Sequence, residues 1–363
     1  MAEKLMSMGT IYTSADPETE DLIERIKQIK KELAERLIIL GHHYQRDEII
    51  EVSDIRGDSF LLSKRAAEQT KADYIVFCGV HFMAESARIL AQPHQRVFLP
   101  DMRAGCPMAD MADIETVEAV WNELESTIGP NRVLPITYVN SDAEIKAFCG
   151  RNGGLTCTSS NADKAFRWAF DRREKIIFFP DEHLGRNTAN ALDVPRDEVV
   201  LWDWLSGEPL AGHSEEELEK ARVFLWNGYC HVHTYFTPDH VKRARQSKPG
   251  CLVIVHPECP EETVALSDAS GSTEQIIQFV KKCAPGSVIF IGTEINLVHR
   301  LAHEHSDKTI LPLARSVCPN MWKISPKNLL HTLEHFSESE EVIIPPDIVR
   351  DARLALSRML EIG

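Results

Sequence analysis

The chain has 363 residues, 43% of them hydrophobic, and a formal net charge of −15. That is apolar material enough for two or three domain cores, and the acidic balance weighs against an extended nucleic-acid or anionic-membrane surface. No run approaches the roughly 20 apolar residues of a membrane span, and the opening MAEKLMSMGTIYTSADPETE holds no stretch apolar enough for a signal peptide. A cytoplasmic chain is expected. In that compartment the nine cysteines are not a disulfide framework. None stand as C-x-x-C, which leaves zinc ribbons and thioredoxin-like motifs unsupported.

In chain order, Asp16-Pro17 has the form of a helix start, with the cap at Asp16 and proline at the first helical position. Leu22, Ile26, Ile29 and Leu33 then recur at helical spacing. The next apolar run, RLIILGHHYQ, reads as a buried strand ending in His42, His43 and Tyr44. RGDSFLLSKRAA follows as a polar turn opening a helix at Ser59, then the strand IVFCGVHFMA, then VFLPDMRAGC leading to Cys106. The same order returns twice. VLPITYVNSD (Tyr138, Asn140), CTSSNADKAF (Ser159), IIFFPDEHLG and VVLWDW lead to Cys230. CLVIVHPECP (His256, Glu258), SGSTEQIIQFV (Ser272, Thr273), VIFIGTEINL and TILPLARSVC lead to Cys318.

The spacings support a threefold repeat. Ser59 to Cys78, Ser159 to Phe179 and Ser272 to Ile291 span 19, 20 and 19 residues. From there to the cysteine the counts are 28, 51 and 27, so the middle unit carries an insertion of about 23 residues, placed near 200–222 as a loop plus a charged helix. Strands alternating with helices give an α/β class with parallel sheets. Three αβα domains are expected at 1–110, 111–235 and 236–319, with a helical tail, 320–363, joining the first.

In open α/β sheets ligands bind beyond the carboxyl ends of the strands. Three such ends around one axis would share a cavity. Each unit would bring a helix N-terminus opened by a hydroxyl (Ser59, Ser159, Ser272 with Thr273), suited to anions. Each would bring polar strand-end residues; His42, Tyr44, Tyr138, His256 and Glu258 are the acid/base set. Each would also bring one cysteine. Three converging thiolates suit a soft metal, either zinc with an open position or a 4Fe-4S cluster with one free iron. Among other histidines, HVH at 231–233 reads as a strand with both rings on one face, with His233 facing the cavity. HEH at 303–305 reads as a solvated helix face, His183 as a weaker candidate, and His43 as structural.

The ordered set GHHYQ, GDS, GVHFMAE, YVNSD, TSSNA, PDEHLGRN, C-x-V-H, HPEC, GST and C-P-x-M, from about residue 37 to 321, resembles the quinolinate synthase (NadA) family. The resemblance implies three similar domains around a pseudo-threefold axis and a 4Fe-4S cluster on Cys106, Cys230 and Cys318. It implies condensation of iminoaspartate with dihydroxyacetone phosphate to quinolinate in NAD biosynthesis. On that reading His42, Ser59, Tyr138, Asn140, Ser159, His256, Glu258 and Thr273 hold substrate, and Glu258, Tyr44 and His42 move protons. The unstable imine suggests transient contact with an aspartate oxidase or dehydrogenase. Some members carry a C-x-x-C-x-x-C run at the third ligand; ARSVCPNMW has one cysteine, so no thiol switch is expected there. A zinc-dependent hydrolase or lyase on a small anion, and a non-catalytic anion-binding protein, are the competing readings.

Overall fold

The computed structural model describes residues 17–363; the expected cap at Asp16 lies outside them. The first helix, Pro17–Leu33, buries Ile23, Ile26 and Ile29, one face at the spacing its sequence repeats. It carries acids in its first turn and lysines in its last, the polarity that the helix dipole favours.

β1 (Leu37–His42) is buried along its whole length, as befits a strand covered on both faces by crossover helices. β2 (Ile55–Gly57) pairs on one side of it, β3 (Tyr74–Cys78) on the other, and β4 (Arg96–Phe98) lies beyond β3. All pairings are parallel, in the order β2-β1-β3-β4. The second sheet contains β5 (Val133–Tyr138), β6 (Leu155–Cys157), β7 (Lys175–Phe179), β8 (Val199–Trp202) and β9 (Val223–Trp226), in the order β6-β5-β7-β9-β8. The third contains β10 (Leu252–Val255), β11 (Ala269–Ser270), β12 (Val288–Gly292) and β13 (Thr309–Pro312), in the order β11-β10-β12-β13.

The three sheets therefore share one topology. In each, the chain leaves the first strand to one side, returns, and continues on the other. That reversal opens a crevice at the carboxyl ends of the first and third strands. The units are also welded together: one apolar cluster contains Ile39, Ile136, Ile254 and Met321.

One strand assignment is corrected. VVLW, expected as the fourth strand of the middle unit, is β8, an extra edge strand. The counterpart of β4 and β13 is β9, VFLW, just past the 200–222 segment, which pairs directly with β7. β9 is buried throughout, whereas β8 alternates between half-buried and buried residues, the signature of a sheet edge. The insertion contributes β8 and the capped helix Glu215–Lys220. The tail divides. Helix Pro326–Glu334 packs on Pro17–Leu33, while Pro346–Ile362 lies mainly on the second unit, against Ala143–Arg151 and β6. No helix among the described residues is long and apolar enough to cross a membrane.

Candidate functional site

β1 and β10 end alike. The backbone N–H of Tyr44 donates to Nδ1 of His42 at 3.1 Å, and that of Glu258 to Nδ1 of His256 at 3.3 Å. An Nδ1 that accepts leaves the ring proton on Nε2. Burial pushes both imidazoles down, His256 to about 3 and His42 well below the ordinary value. Both rings are thus neutral donors through Nε2–H.

Glu258, buried to 2% exposure, is the hub. Tyr138 Oη donates to its Oε1 at 2.6 Å, and His233 Nδ1 lies 2.9 Å from its Oε2. Burial works to raise this carboxyl, but His233, His256 and the hydrogen bonds from His233 and Tyr138 outweigh it and hold the group below the usual carboxylate range. On the far side of the His233 ring, Nε2 lies 3.4 Å from Tyr44 Oη and 3.2 Å from Thr293 Oγ1. Tyr44 Oη and Thr293 Oγ1 are 2.7 Å apart, and Thr273 Oγ1 donates to Tyr44 Oη at 3.3 Å. The His233 and His256 rings stack, with centroids 4.3 Å apart. Burial first, and then the Glu258 charge, push both tyrosines well up, so they stay protonated. This chain joins Tyr44 of the first unit, Tyr138 and His233 of the second, and Glu258, Thr273 and Thr293 of the third.

The chain borders a cavity with about 730 Å³ of atom-free space, counted with its mouth. His42, Ser59, Asn140, Ser159, Thr273 and Cys106 are among its walls. Ser59 is the first residue of helix Ser59–Glu68, whose cap is Asp58. Ser159 precedes helix Ala162–Phe170, and Thr273 begins Thr273–Lys282. The Oδ1 of Asn140 is buried without a hydrogen-bond partner. Ser272 is a correction: it does not line the cavity, because its hydroxyl caps Thr273–Lys282 through the N–H of Gln275. HVH is another. It is a short helix, His231–Thr234, that buries His233 and exposes His231. His43, His183, His303 and His305 lie outside the lining. Thr293 and Thr158 went unnoticed in the sequence. Thr293 directly follows β12 in the third unit, where the position itself is the only signal.

Cys106, Cys230 and Cys318 all face this one cavity. The other six cysteines do not, and all nine are free. Burial pushes the Cys106 thiol up to about 12 and Cys318 to about 11, and it raises Cys230 well above the ordinary value too, so thiolates here need a cation beside them. The donor set fits one. The backbone N–H groups of Ala109 and Met108 serve the Cys106 sulfur, and those of Met321 and Asn320 the Cys318 sulfur, an arrangement that favours the charged form. Among the described residues, Cys230, His233 and Glu258 form a set whose ligand atoms all lie within 4.8 Å of one another. The three cysteines do not form so tight a set.

The model of the family described as NadA, quinolinate synthetase A protein, matches residues 24–361. This chain belongs to that family. A quinolinate synthase of Bacillus velezensis is 49% identical over 350 residues, covering 95% of this chain and 94% of its own. One from Geobacillus thermodenitrificans is 47% identical over 366 residues, covering 99% and 98%. One from Bacillus cereus is 49% identical over 350 residues, covering 94% of each. As a member of the NadA family the chain is an enzyme acting on small molecules, and its three sheets are the fold that the motifs implied.

Proposed function

We propose that this NadA-family chain condenses iminoaspartate with dihydroxyacetone phosphate, releasing phosphate and water and closing the ring of quinolinate. The observation that carries this reading is the convergence of three strand ends, three hydroxyl-bearing turns and three cysteines on one cavity. Cys106, Cys230 and Cys318 hold a 4Fe-4S cluster. Their spread favours it over a single zinc, whose bonds of about 2.3 Å to sulfur would draw three thiolates within ~4 Å of each other. When bound, the cluster supplies a Lewis acid through its open iron for a substrate oxygen or nitrogen.

The chain's own groups do the rest. Both substrates are anionic, yet among the described residues no lysine or arginine lines the cavity. The anions are met by neutral donors: the hydroxyls of Ser59 and Ser159 with their helix N-termini, that of Thr273 once it turns from Tyr44 to the substrate, the Nε2–H of His42 and His256, and the amide of Asn140. Glu258, whose charge would repel such substrates, also lines the cavity and is the candidate base. Its carboxylate takes protons from carbons next to an imine or carbonyl. Tyr138 and, through His233, Tyr44 relay those protons. Iminoaspartate hydrolyses in water, so supply by transient contact with an aspartate oxidase or dehydrogenase in the cytoplasm fits this chemistry. The domain boundaries 1–110, 111–235 and 236–319 are part of the same proposal.

The test is metal and sulfide analysis of protein purified without air, with quinolinate measured from the two substrates. The expected result is brown protein with about four irons and matching sulfide. A colourless protein with one zinc that still made quinolinate would sink the cluster assignment. Zinc on Cys230, His233 and Glu258, with hydrolysis of a small anion, is the second reading, and the tightness of that set favours it.

A further inference from the structure

We propose that the helix following the third strand of each unit positions the substrate-facing loop of the next unit, through Glu85, Asn187 and Arg300. What those loops do rests on the function proposed above; how they are held does not.

Helix Ile295–Glu304 of the third unit reaches the loop after β1. Arg300, 6% exposed, donates Nη1 to His43 O at 2.9 Å and Nη2 to Gln45 O at 2.6 Å, while its Nε pairs with Asp47 at 2.7 Å. Asn296 Nδ2, from the same helix, donates to Tyr44 O at 2.9 Å. Helix Glu182–Ala191 of the second unit reaches the loop after β10. Asn187 Nδ2 gives both hydrogens, to Pro257 O and Cys259 O, each at 2.8 Å. Helix His81–Leu90 of the first unit reaches the turn after β5. Glu85 Oε2 accepts the Ala143 N–H at 3.0 Å, and buried Lys146, beside Glu85, donates to Ser141 O.

In two of the three cases one planar donor brackets the residue between its two acceptors. Arg300 brackets Tyr44, and Asn187 brackets Glu258. Fixing the carbonyls on either side of a loop residue fixes the direction of its side chain, and buried loop carbonyls must find donors somewhere. The second unit varies the device: the hold falls just beyond Asn140, at the start of helix Ala143–Arg151.

The same helices tie down the cysteines of their own units. His81 N–H donates to Ala104 O at 2.8 Å, Glu182 N–H to Gly228 O at 2.8 Å, and Ile295 N–H to Ser316 O at 3.0 Å. Each acceptor stands two residues before its cysteine. One helix per unit thus sets the distance between its own cysteine and its neighbour's reactive loop. The sense is constant, first to second, second to third and third to first, which closes a ring as in a cyclic head-to-tail oligomer.

Asn187→Ala tests this in the cluster-loaded enzyme. Hydrogen exchange read by mass spectrometry is expected to speed up about tenfold or more in segment 256–260, reflecting the loss of both Asn187 hydrogen bonds, with segments 42–46 and 138–143 changed less than about twofold. Iron content stays at the wild-type level, and kcat/KM falls about tenfold. In a Glu258→Gln background the same substitution lowers kcat/KM less than about twofold further, because the residue it positions is already gone. No acceleration, equal acceleration in all three loops, or losses that multiply would each overturn the proposal. Should Asn187→Ala fail to fold, Arg300→Lys with Tyr44→Phe gives the same paired readings at 42–46. A wild-type chain that makes no quinolinate would refute the function and leave the exchange result to decide the positioning.

Discussion

Ser272 and Thr273 stand side by side at one helix start and do different work. Ser272 caps, and Thr273 faces the cavity. Ser272→Ala is expected to cost about 1 kcal/mol of stability with KM for the phosphate substrate unchanged. Thr273→Val is expected to raise that KM roughly tenfold, the worth of one hydrogen bond to a charged group, with little change in melting temperature. Thermal melts and steady-state kinetics on the two variants separate the roles. The sequence could not make this distinction, because cap and first helical residue differ by one position and both are hydroxyls. The three cysteines, by contrast, were legible from spacing alone, since strand-to-cysteine distances repeat wherever no insertion intervenes. His43 carries a second prediction at this scale. Burial, with Arg300 nearby, pushes it down to about 3, against about 6.5 unfolded. Above pH ~6.5 both states are neutral and the contribution to stability is complete. As pH falls from ~6.5 toward ~3 only the unfolded state takes up the proton, so stability declines by up to about 1.4 kcal/mol per pH unit. Urea unfolding at pH 7, 6 and 5 should show a shallower decline in His43→Gln than in the wild type.

Between elements, helix Pro346–Ile362 packs closely on the second unit. A Cβ added at Gly150 would meet Asp351 O at 1.9 Å. Inside a helix, Gly→Ala ordinarily stabilises by roughly 0.5–1 kcal/mol, but here the neighbour is backbone and cannot rotate away. Gly150→Ala is therefore expected to destabilise by about 1–3 kcal/mol and to loosen the last helix first, which limited proteolysis near the C-terminus would reveal. The sheet order explains where the strand reading slipped. VVLW and VFLW are apolar runs of equal length, and only the neighbour each one pairs with tells an edge strand from an inner one. Pairing is a tertiary fact that local composition does not carry. The first strand of each unit was readable because it ends in polar, reactive residues that return in the next unit.

Taken whole, the molecule makes its site from residues that no single unit holds. Cys106→Ala, Cys230→Ala and Cys318→Ala are each expected to abolish iron incorporation, whereas Cys149→Ser, buried in the second unit's core, should keep it. Iron analysis and visible absorbance measure this directly. Far-UV circular dichroism of the iron-free variants should match the wild type, because the sheets are stabilised by their own apolar cores. The closing of the ring also sets an order of events during synthesis. His43 leaves the ribosome early, and the arginine that holds its carbonyl comes 257 residues later, roughly 10–50 seconds at ordinary elongation rates. Cys318 follows Arg300. A nascent chain thus has neither a complete set of thiols nor a fixed Tyr44 until its last unit emerges. On the function proposed above, a chain that stops short of Cys318 would lack one of the three cluster ligands, so delivery of the cluster would wait for the last unit.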